Sequence, residues 1–402
     1  MNILIRFHWE MFVVLTERER VFIERERKHF MRSIYLDNNA TTALDEKVAE
    51  VMKGLLGEPL NPSSVHGQGR KARAIINDVR KKLLEFLNAE DYRVIFTSSG
   101  TEANNIAIFG LEGYEVLVSA IEHSSVMKPA VKKNAVVVAV DKNGIIKLDV
   151  LEELLKARQG KKILVSVMLA NNETGVIQPI KDVMVLAHKY GAIVHTDAAQ
   201  CIGKIKVDVA DLGVDMLTIS AHKFSGPQGA AALIAKKSVP LVTQILGGGQ
   251  EQNYRAGTEN VVAIAGLGAA LDVVDREVSS AHEIEKLRNY LEREIRSFLP
   301  ETEFLGGEEQ RLPNTSCVVM PDVSNETQLI HFDLAGIAVS AGAACSSGKM
   351  EESHVLKAMG INGGKAKTAI RVSLGKNNTS EDVSRFVQEW KSLYVKLNKK
   401  AA

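Results

Sequence analysis

The chain has 402 residues, with 50 basic and 49 acidic side chains and a formal net charge of +1. Hydrophobic residues make up 45% and charged residues 25%, the balance of an ordinary globular protein. No basic excess exists to neutralise phosphates, which removes the general electrostatic case for nucleic acid, and no apolar run approaches the roughly 20 residues that span a bilayer. The three cysteines, Cys201, Cys317 and Cys345, are odd in number and widely spaced. They make neither a disulfide framework nor a CxxC metal site, and they fit a reducing, cytoplasmic setting.

Residues 1–30 combine a short apolar patch, Met11–Leu15, with a charge-laced stretch, Glu17–Lys28. Acidic residues argue against a mitochondrial transit peptide, and the patch is too short for a signal peptide. The expectation is a solvated, charge-laced helix or a disordered extension, without function in either case, with Met31 as an alternative start. From Val94 onward short apolar runs alternate with helical patterns. Val94–Phe96, Val116–Val118, Ala135–Val140, Ile163–Met168, Ile193–Thr196, Met216–Ile219 and Ala230–Ile234 read as buried strands. Val150–Arg158 and Ile180–Tyr190 read as helices between them. Such alternation means βαβ units and a largely parallel sheet. After about Leu271 the pattern changes. A long charged helix is expected at Glu283–Phe298, strands near Cys317–Met320 and Ala338–Ser340, and a closing helix at Glu381–Leu397, a second and smaller α+β unit.

Three segments carry chemistry. Thr97–Asn105 (TSSGTEANN) follows a strand and opens a helix. Its small residues let backbone N–H groups approach an anion at a positive helix end, so it reads as a phosphate cradle or as a plain N-cap on Ser99 or Thr101. It is neither a Walker loop nor GxGxxG. Asp197, in HTDAAQ, ends a buried strand where α/β folds place ligands. A buried carboxylate needs a partner, and a protonated pyridine nitrogen would be one; an N-cap is the other reading. Lys223, in SAHKFSGPQG, follows the next strand. Desolvation lowers a lysine's pKa and suits a Schiff-base nucleophile, whereas a lone loop lysine is by default a surface charge. One strand–helix–strand unit separates Asp197 from Lys223, so both can face one pocket.

These features resemble fold-type I pyridoxal-phosphate (PLP) enzymes. With YLDNNATT, NPSSVHGQGR, FTSSGTEANN, EHSSV, NNETGVIQP, GGGQE, RAGTEN, SAGAACSSG and AIRVSLG added in order over about residues 33 to 390, the chain is similar to the cysteine desulfurases of the NifS/IscS type, in the class V aminotransferase family. The resemblance implies an α/β large domain, with a mostly parallel seven-stranded sheet flanked by helices, over 47–282. A smaller α+β domain would comprise 31–46 and 283–402. It implies that Gly100 and Thr101 hold the PLP phosphate, assisted by Ser220 and His222, and that Thr258 reaches the neighbouring subunit's phosphate in a homodimer. His123 would stack on the ring and help proton transfer. Asn172 and Gln200 would bond the phenolic oxygen, Asp197 would pair with the ring nitrogen, and Lys223 would bind the cofactor covalently. Arg371 would clamp the substrate carboxylate, with Asn38 lining the substrate site.

Cys345 lies among small residues, Ala341–Ala344 and Ser346–Gly348, where a thiol has little packing value. The resemblance makes it the nucleophile that takes sulfur from L-cysteine as a persulfide and leaves L-alanine. Cys201 and Cys317 read as structural. The implied purpose is sulfur supply for iron–sulfur clusters or other sulfur transfer, to an acceptor protein such as a cluster scaffold. No metal is expected. Two departures stand out. Ser99-Gly100 occupies positions where relatives commonly show Gly-Ala, and the C-terminus lacks the tail many members use to dock a scaffold. Three other readings compete: a PLP aminotransferase without need of Cys345, a selenocysteine lyase, and a non-catalytic sulfur carrier.

Overall fold

The structure, a computed structural model, describes residues 33–342 and 352–398. The N-terminal segment 1–30 and Cys345 lie outside the described residues. The strands are β1 (Ile34–Tyr35), β2 (Tyr92–Thr97), β3 (Glu115–Ser119), β4 (Val136–Val138), β5 (Ile163–Ser166), β6 (Ile193–Asp197), β7 (Met216–Ser220), β8 (Ala231–Lys236), β9 (Thr315–Val319), β10 (Ile337–Ala338) and β11 (Ala369–Ser373).

Strands β2 to β8 form one seven-stranded sheet in the order β2-β8-β7-β6-β5-β3-β4. Only β8 runs against its neighbours, β2 and β7; the other pairings are parallel. Alternate residues enter two different cores. Val94, Phe96, Leu117, Val165, Leu217 and Ile219 face one. Ile95, Val116, Val118, Leu164, Met216 and Leu233 face the other. Leu83, Val183 and Leu267, from helices Gly67–Phe86, Ile180–Lys189 and Val261–Phe298, join the first core. Ile106 and Val126, from helices Gly100–Phe109 and Ser124–Lys132, join the second. Burial on both faces is why these strands read as unbroken apolar runs.

A separate core gathers Ile34, Leu36, Leu291, Ile295, Val318, Phe332, Ile370, Val372, Phe386 and Trp390. It is built on antiparallel β9–β11 and parallel β1–β10. Fully buried Trp390 stacks on Tyr394 at 5.8 Å, and Phe332 on Phe386 at 4.8 Å. Each such pair adds about 0.5–1.5 kcal/mol beyond the area it buries. The closing helix, Ser380–Asn398, supplies three of these rings.

The helix expected at Glu283–Phe298 is the second half of a 38-residue helix, Val261–Phe298. Its first turns pack Ile264, Leu267 and Leu271 into the sheet core, and its last turns pack Leu291 and Ile295 into the smaller core. The early half is buried nearly all round, so it shows no polar stripe to mark a helical period. The N-terminal segment Ile34–Asp45 also joins both regions. It enters through β1, bonds Asn38 N to Ser373 O, then crosses to the loop after β7, where Thr42 N donates to His222 O and Asp45 N to Ser225 O.

Candidate active site

The site gathers at the C-terminal ends of β6 and β7. Ser99 caps helix Gly100–Phe109, its Oγ accepting from Glu102 N at 3.2 Å. Capping uses one donor and leaves other first-turn N–H groups for an anion, so the two readings of this segment coexist. A Cβ on Gly100 would lie 3.4 Å from the Cβ of Ser220, at the end of β7. The backbone therefore passes close to Ser220, and a side chain would narrow that gap. Thr101 is exposed beside it. Glu102 ties the turn down, accepting from Ser98 N at 2.8 Å and from Arg255 Nε at 2.8 Å. Arg255 and exposed Thr258 belong to the same RAGTEN segment.

Asp197 is buried at the end of β6. Its Oδ1 accepts from Ala199 N at 2.9 Å, and its Oδ2 from Asn104 Nδ2 at 2.7 Å. Asn104 Nδ2 also donates to Ser125 Oγ at 2.8 Å. The Ser125 hydroxyl proton is thereby directed to His123 Nδ1, 2.8 Å away, which also accepts from Ser125 N. Two donors on Nδ1 place the His123 proton on Nε2. Burial pushes the His123 pKa below its usual value, so the neutral ring is favoured, while Asp197 opposes the shift.

Lys223 lies in a single 3-10 turn after β7. Its Nζ donates to Asn39 O at 2.6 Å and Ala40 O at 2.7 Å. Burial and the Arg371 cation pull its pKa down to about 8, against Asp197 and Asp37. His222 is lowered to about 4 by burial and by Lys223, and its Nδ1 lies 3.2 Å from Thr41 Oγ1. Gln200 donates through Nε2 to Asn39 O at 2.9 Å.

Arg371 is buried on β11. Its Nη2 pairs with Asp37 Oδ1 at 2.7 Å, and its Nη1 donates to Asn172 O at 3.0 Å. Its Nε has no partner among the described residues. A buried guanidinium with a free Nε–H suits a carboxylate. Asn172 thus meets Arg371 through its backbone. Asn38 uses its amide on Ser373 O at 3.0 Å and lines a cavity of about 450 Å³ that Lys223 also borders. Cys201 and Cys317 are buried, and burial pushes both thiols up, Cys317 to about 12. Neither is a nucleophile at neutral pH.

Comparison with known proteins fits this geometry. The family described as Aminotransferase class-V matches residues 34–386. The chain belongs to the class-V aminotransferase family. It is 39% identical over 400 residues to a cysteine desulfurase IscS of Dictyoglomus turgidum, covering 92% of this chain and 100% of that protein. It is 41% identical over 368 residues to cysteine desulfurase IscS 1 of Archaeoglobus fulgidus, covering 88% and 95%. Among solved structures, a NifS-like protein from Rickettsia africae superposes with a TM-score of 0.85 at 39% identity, covering 90% of this chain and 99% of that one. The activity is that of a cysteine desulfurase, a transferase that moves sulfur from cysteine. Among the described residues no helix is long and apolar enough to cross a membrane.

Four polar residues at the site escaped the sequence reading: Asp37, Asn39, Asn104 and Lys204. Asp37 and Asn39 stand inside YLDNNATT and Asn104 inside GTEANN, so only the surrounding motifs marked them. Lys204 had no signal beyond its place four residues after Gln200.

Proposed function

We propose that this chain uses PLP to desulfurate L-cysteine, with the residue roles expected from its motifs. The observation that carries the reading is Lys223, a half-buried amine whose proton is loosely held, set among Asp197, His123 and an Arg371 guanidinium whose Nε has no partner among the described residues. The residues fit the cofactor. The Gly100–Thr101 helix end and Ser220 would hold its phosphate, with His222 assisting; Asp197 would hold the ring nitrogen, Gln200 and Asn172 the phenolic oxygen, and Lys223 the carbonyl carbon. When bound, PLP supplies an electron sink next to the substrate's Cα.

The chain's own groups do the rest. Arg371 Nε orients the substrate carboxylate, with Asn38 lining that side of the pocket. Neutral Lys223 Nζ takes the Cα proton. His123 presents its Nε2–H to the pocket. Cys345 receives the sulfur: the substrate C–S bond breaks, an S–S bond forms at Cys345, and a proton fills the vacated carbon of alanine. Cysteine and the Cys345 thiol thereby become alanine and a persulfide, with no external oxidant.

The active unit in this reading is a homodimer, because exposed Thr258 reaches the partner subunit's phosphate site. In this reading the two sheet cores belong to a large domain at 47–282 and the separate core to a smaller one from 31–46 and 283–402, with the long helix bridging them. The persulfide passes to an acceptor protein, such as an iron–sulfur scaffold, in the cytoplasm. Brief exposure to cysteine without reductant tests the reading. Intact-mass and peptide analysis should find one added sulfur on the Cys345 peptide, absent in Cys345→Ser. Sulfur on Cys201, or normal alanine release by Cys345→Ser, overturns the assigned nucleophile.

A further inference from the structure

The site contains a second buried lysine that none of these roles uses. Lys204 follows β6 and lines the same cavity of about 450 Å³ as Lys223. No carboxylate pairs with it among the described residues. Its Nζ meets two amide oxygens instead: Gln200 Oε1 at 2.7 Å and Asn39 Oδ1 at 3.1 Å. We propose that Lys204 is a positioning residue, which fixes the Gln200 amide so that its N–H edge faces the cofactor's phenolic oxygen. This rests on the PLP reading above.

The argument is one of donor and acceptor count. Asn39 has no freedom to turn, because its Nδ2 donates to Thr315 Oγ1 and Asn172 O while its Oδ1 also accepts from Asn314 Nδ2. Asn39 Oδ1 therefore presents an acceptor to Lys204. Gln200 Nε2 spends one hydrogen on Asn39 O, the same carbonyl that Lys223 Nζ contacts. Its second hydrogen remains. If the Gln200 amide were flipped, its NH2 would face the Lys204 amine and its oxygen would face the Asn39 carbonyl, two unfavourable contacts in place of two hydrogen bonds. An ammonium has three donors and a neutral amine two, so Lys204 serves both oxygens in either state. Burial and the Lys223 cation hold its pKa down to about 7, so the pair does not carry two full charges at alkaline pH. Arg371 adds to that lowering, while Cys201 and Glu277 oppose it.

Without Lys204, only the bond to Asn39 O holds the Gln200 amide, so its orientation is less firmly fixed and its donation to the phenolic oxygen weakens. That oxygen is part of the cofactor chromophore, so the effect is read in light absorption as well as in binding. A change at 204 alters no hydrogen bond of Asp197, His123, His222 or Arg371, and the charge it removes near Lys223 and Arg371 is removed alike in Lys204→Met and Lys204→Gln.

The experiment compares wild type, Lys204→Met, Lys204→Gln, Gln200→Ala and the Lys204→Met/Gln200→Ala and Lys204→Gln/Gln200→Ala double variants, each reconstituted with PLP. Dissociation constants for PLP and the pH midpoint of the lysine-linked chromophore are measured, with apoprotein melting as the folding check. Lys204→Met should weaken PLP about two- to tenfold and displace the midpoint. Lys204→Gln, which keeps a donor, should recover most of the wild-type behaviour. In the Gln200→Ala background, adding Lys204→Met or Lys204→Gln, which lose the same charge, should have the same effect on both quantities. An unmoved midpoint in Lys204→Met, or a difference between Lys204→Met and Lys204→Gln that persists in the Gln200→Ala background, overturns the proposal. If Lys204→Met does not fold, Lys204→Ala takes its place in the same comparison. Failure of the cofactor reading looks different: wild type would then form no chromophore that borohydride fixes, or Lys223→Ala would keep one.

Discussion

The wall of the pocket made by Ser99–Thr101, Asp197 and Ser220 differs from the wall made by Asp37, Asn38 and Arg371 in how it is assembled. The first stands on strand ends of one sheet packed on both faces, with Asp197 in register with Thr218 on the next strand. Each of its parts is positioned by a local rule: a strand end, a cap, a helix N-terminus. The second joins an N-terminal strap to β11, and its central ion pair links residues 334 positions apart. It forms only when the smaller core closes on the larger. Damage to the first wall should therefore appear in cofactor retention, and damage to the second in substrate handling with the cofactor still bound.

Lys223 sits between the two walls, and its loss gives the largest effect. Lys223→Ala should lower turnover by a factor on the order of 10²–10⁴ or more, since a proton-transfer group goes with the covalent anchor. Full activity in that variant breaks the comparison at its centre. The same amine sets a pH dependence. Only neutral Nζ can attack, and its pKa is lowered from 10.5 to about 8. Covalent capture of PLP by the apoprotein should thus rise about tenfold per pH unit below 8 and level off above. A rise that continues toward pH 10 in stopped-flow absorbance would mean that Lys223 is not desolvated.

Arg371→Gln tests the second wall. Losing charge-assisted bonds worth about 1.5–3 kcal/mol should lower kcat/KM for cysteine roughly 10- to 150-fold, chiefly through KM, with PLP retained. Loss of PLP together with KM would erase the distinction between the walls. Thr258→Ala should leave cysteine KM alone and weaken PLP, by up to about 10-fold, in a protein that sediments as a dimer. A fully active monomer in analytical ultracentrifugation contradicts that. Asn104→Ala should have the smallest effect. It removes one neutral donor from Asp197 and one from Ser125, about 0.5–1.5 kcal/mol each, so PLP affinity should fall only a few-fold. An unchanged affinity would show that the chain from His123 to Asp197 contributes nothing to the first wall.

Legibility in the sequence follows the same division. Asp197, Lys223 and the TSSGTEANN turn were readable because apolar runs marked β2, β6 and β7, and polar residues at their ends stood out. The mostly parallel sheet was readable for the same reason. The long helix from Val261 was only half readable, because its buried early turns lack a polar stripe. Strand ends were read too long at Ala135–Val140, of which Val136–Val138 form the strand and Val140 makes an isolated bridge to Ile146. Family motifs, rather than periodicity, marked Arg371 and Asn38, and Lys204 was marked by nothing.

By itself, the sequence determined the chemistry available to the protein: an amine and an acid at neighbouring strand ends, a cap that leaves donors free, a cysteine among small residues, and the apolar runs that dictate a sheet buried on both faces. These depend on contacts between near neighbours and on the two-residue period of a strand. Tertiary structure alone decided the ionisation and aim of those groups. Lys223 becomes a weakly held proton site because Arg371 and the strap close over it, and Gln200 acquires a fixed orientation because Lys204 and Asn39 meet there. Desolvation and hydrogen-bond partnership depend on what surrounds a side chain in space, and here the surroundings come from chain segments far apart in sequence.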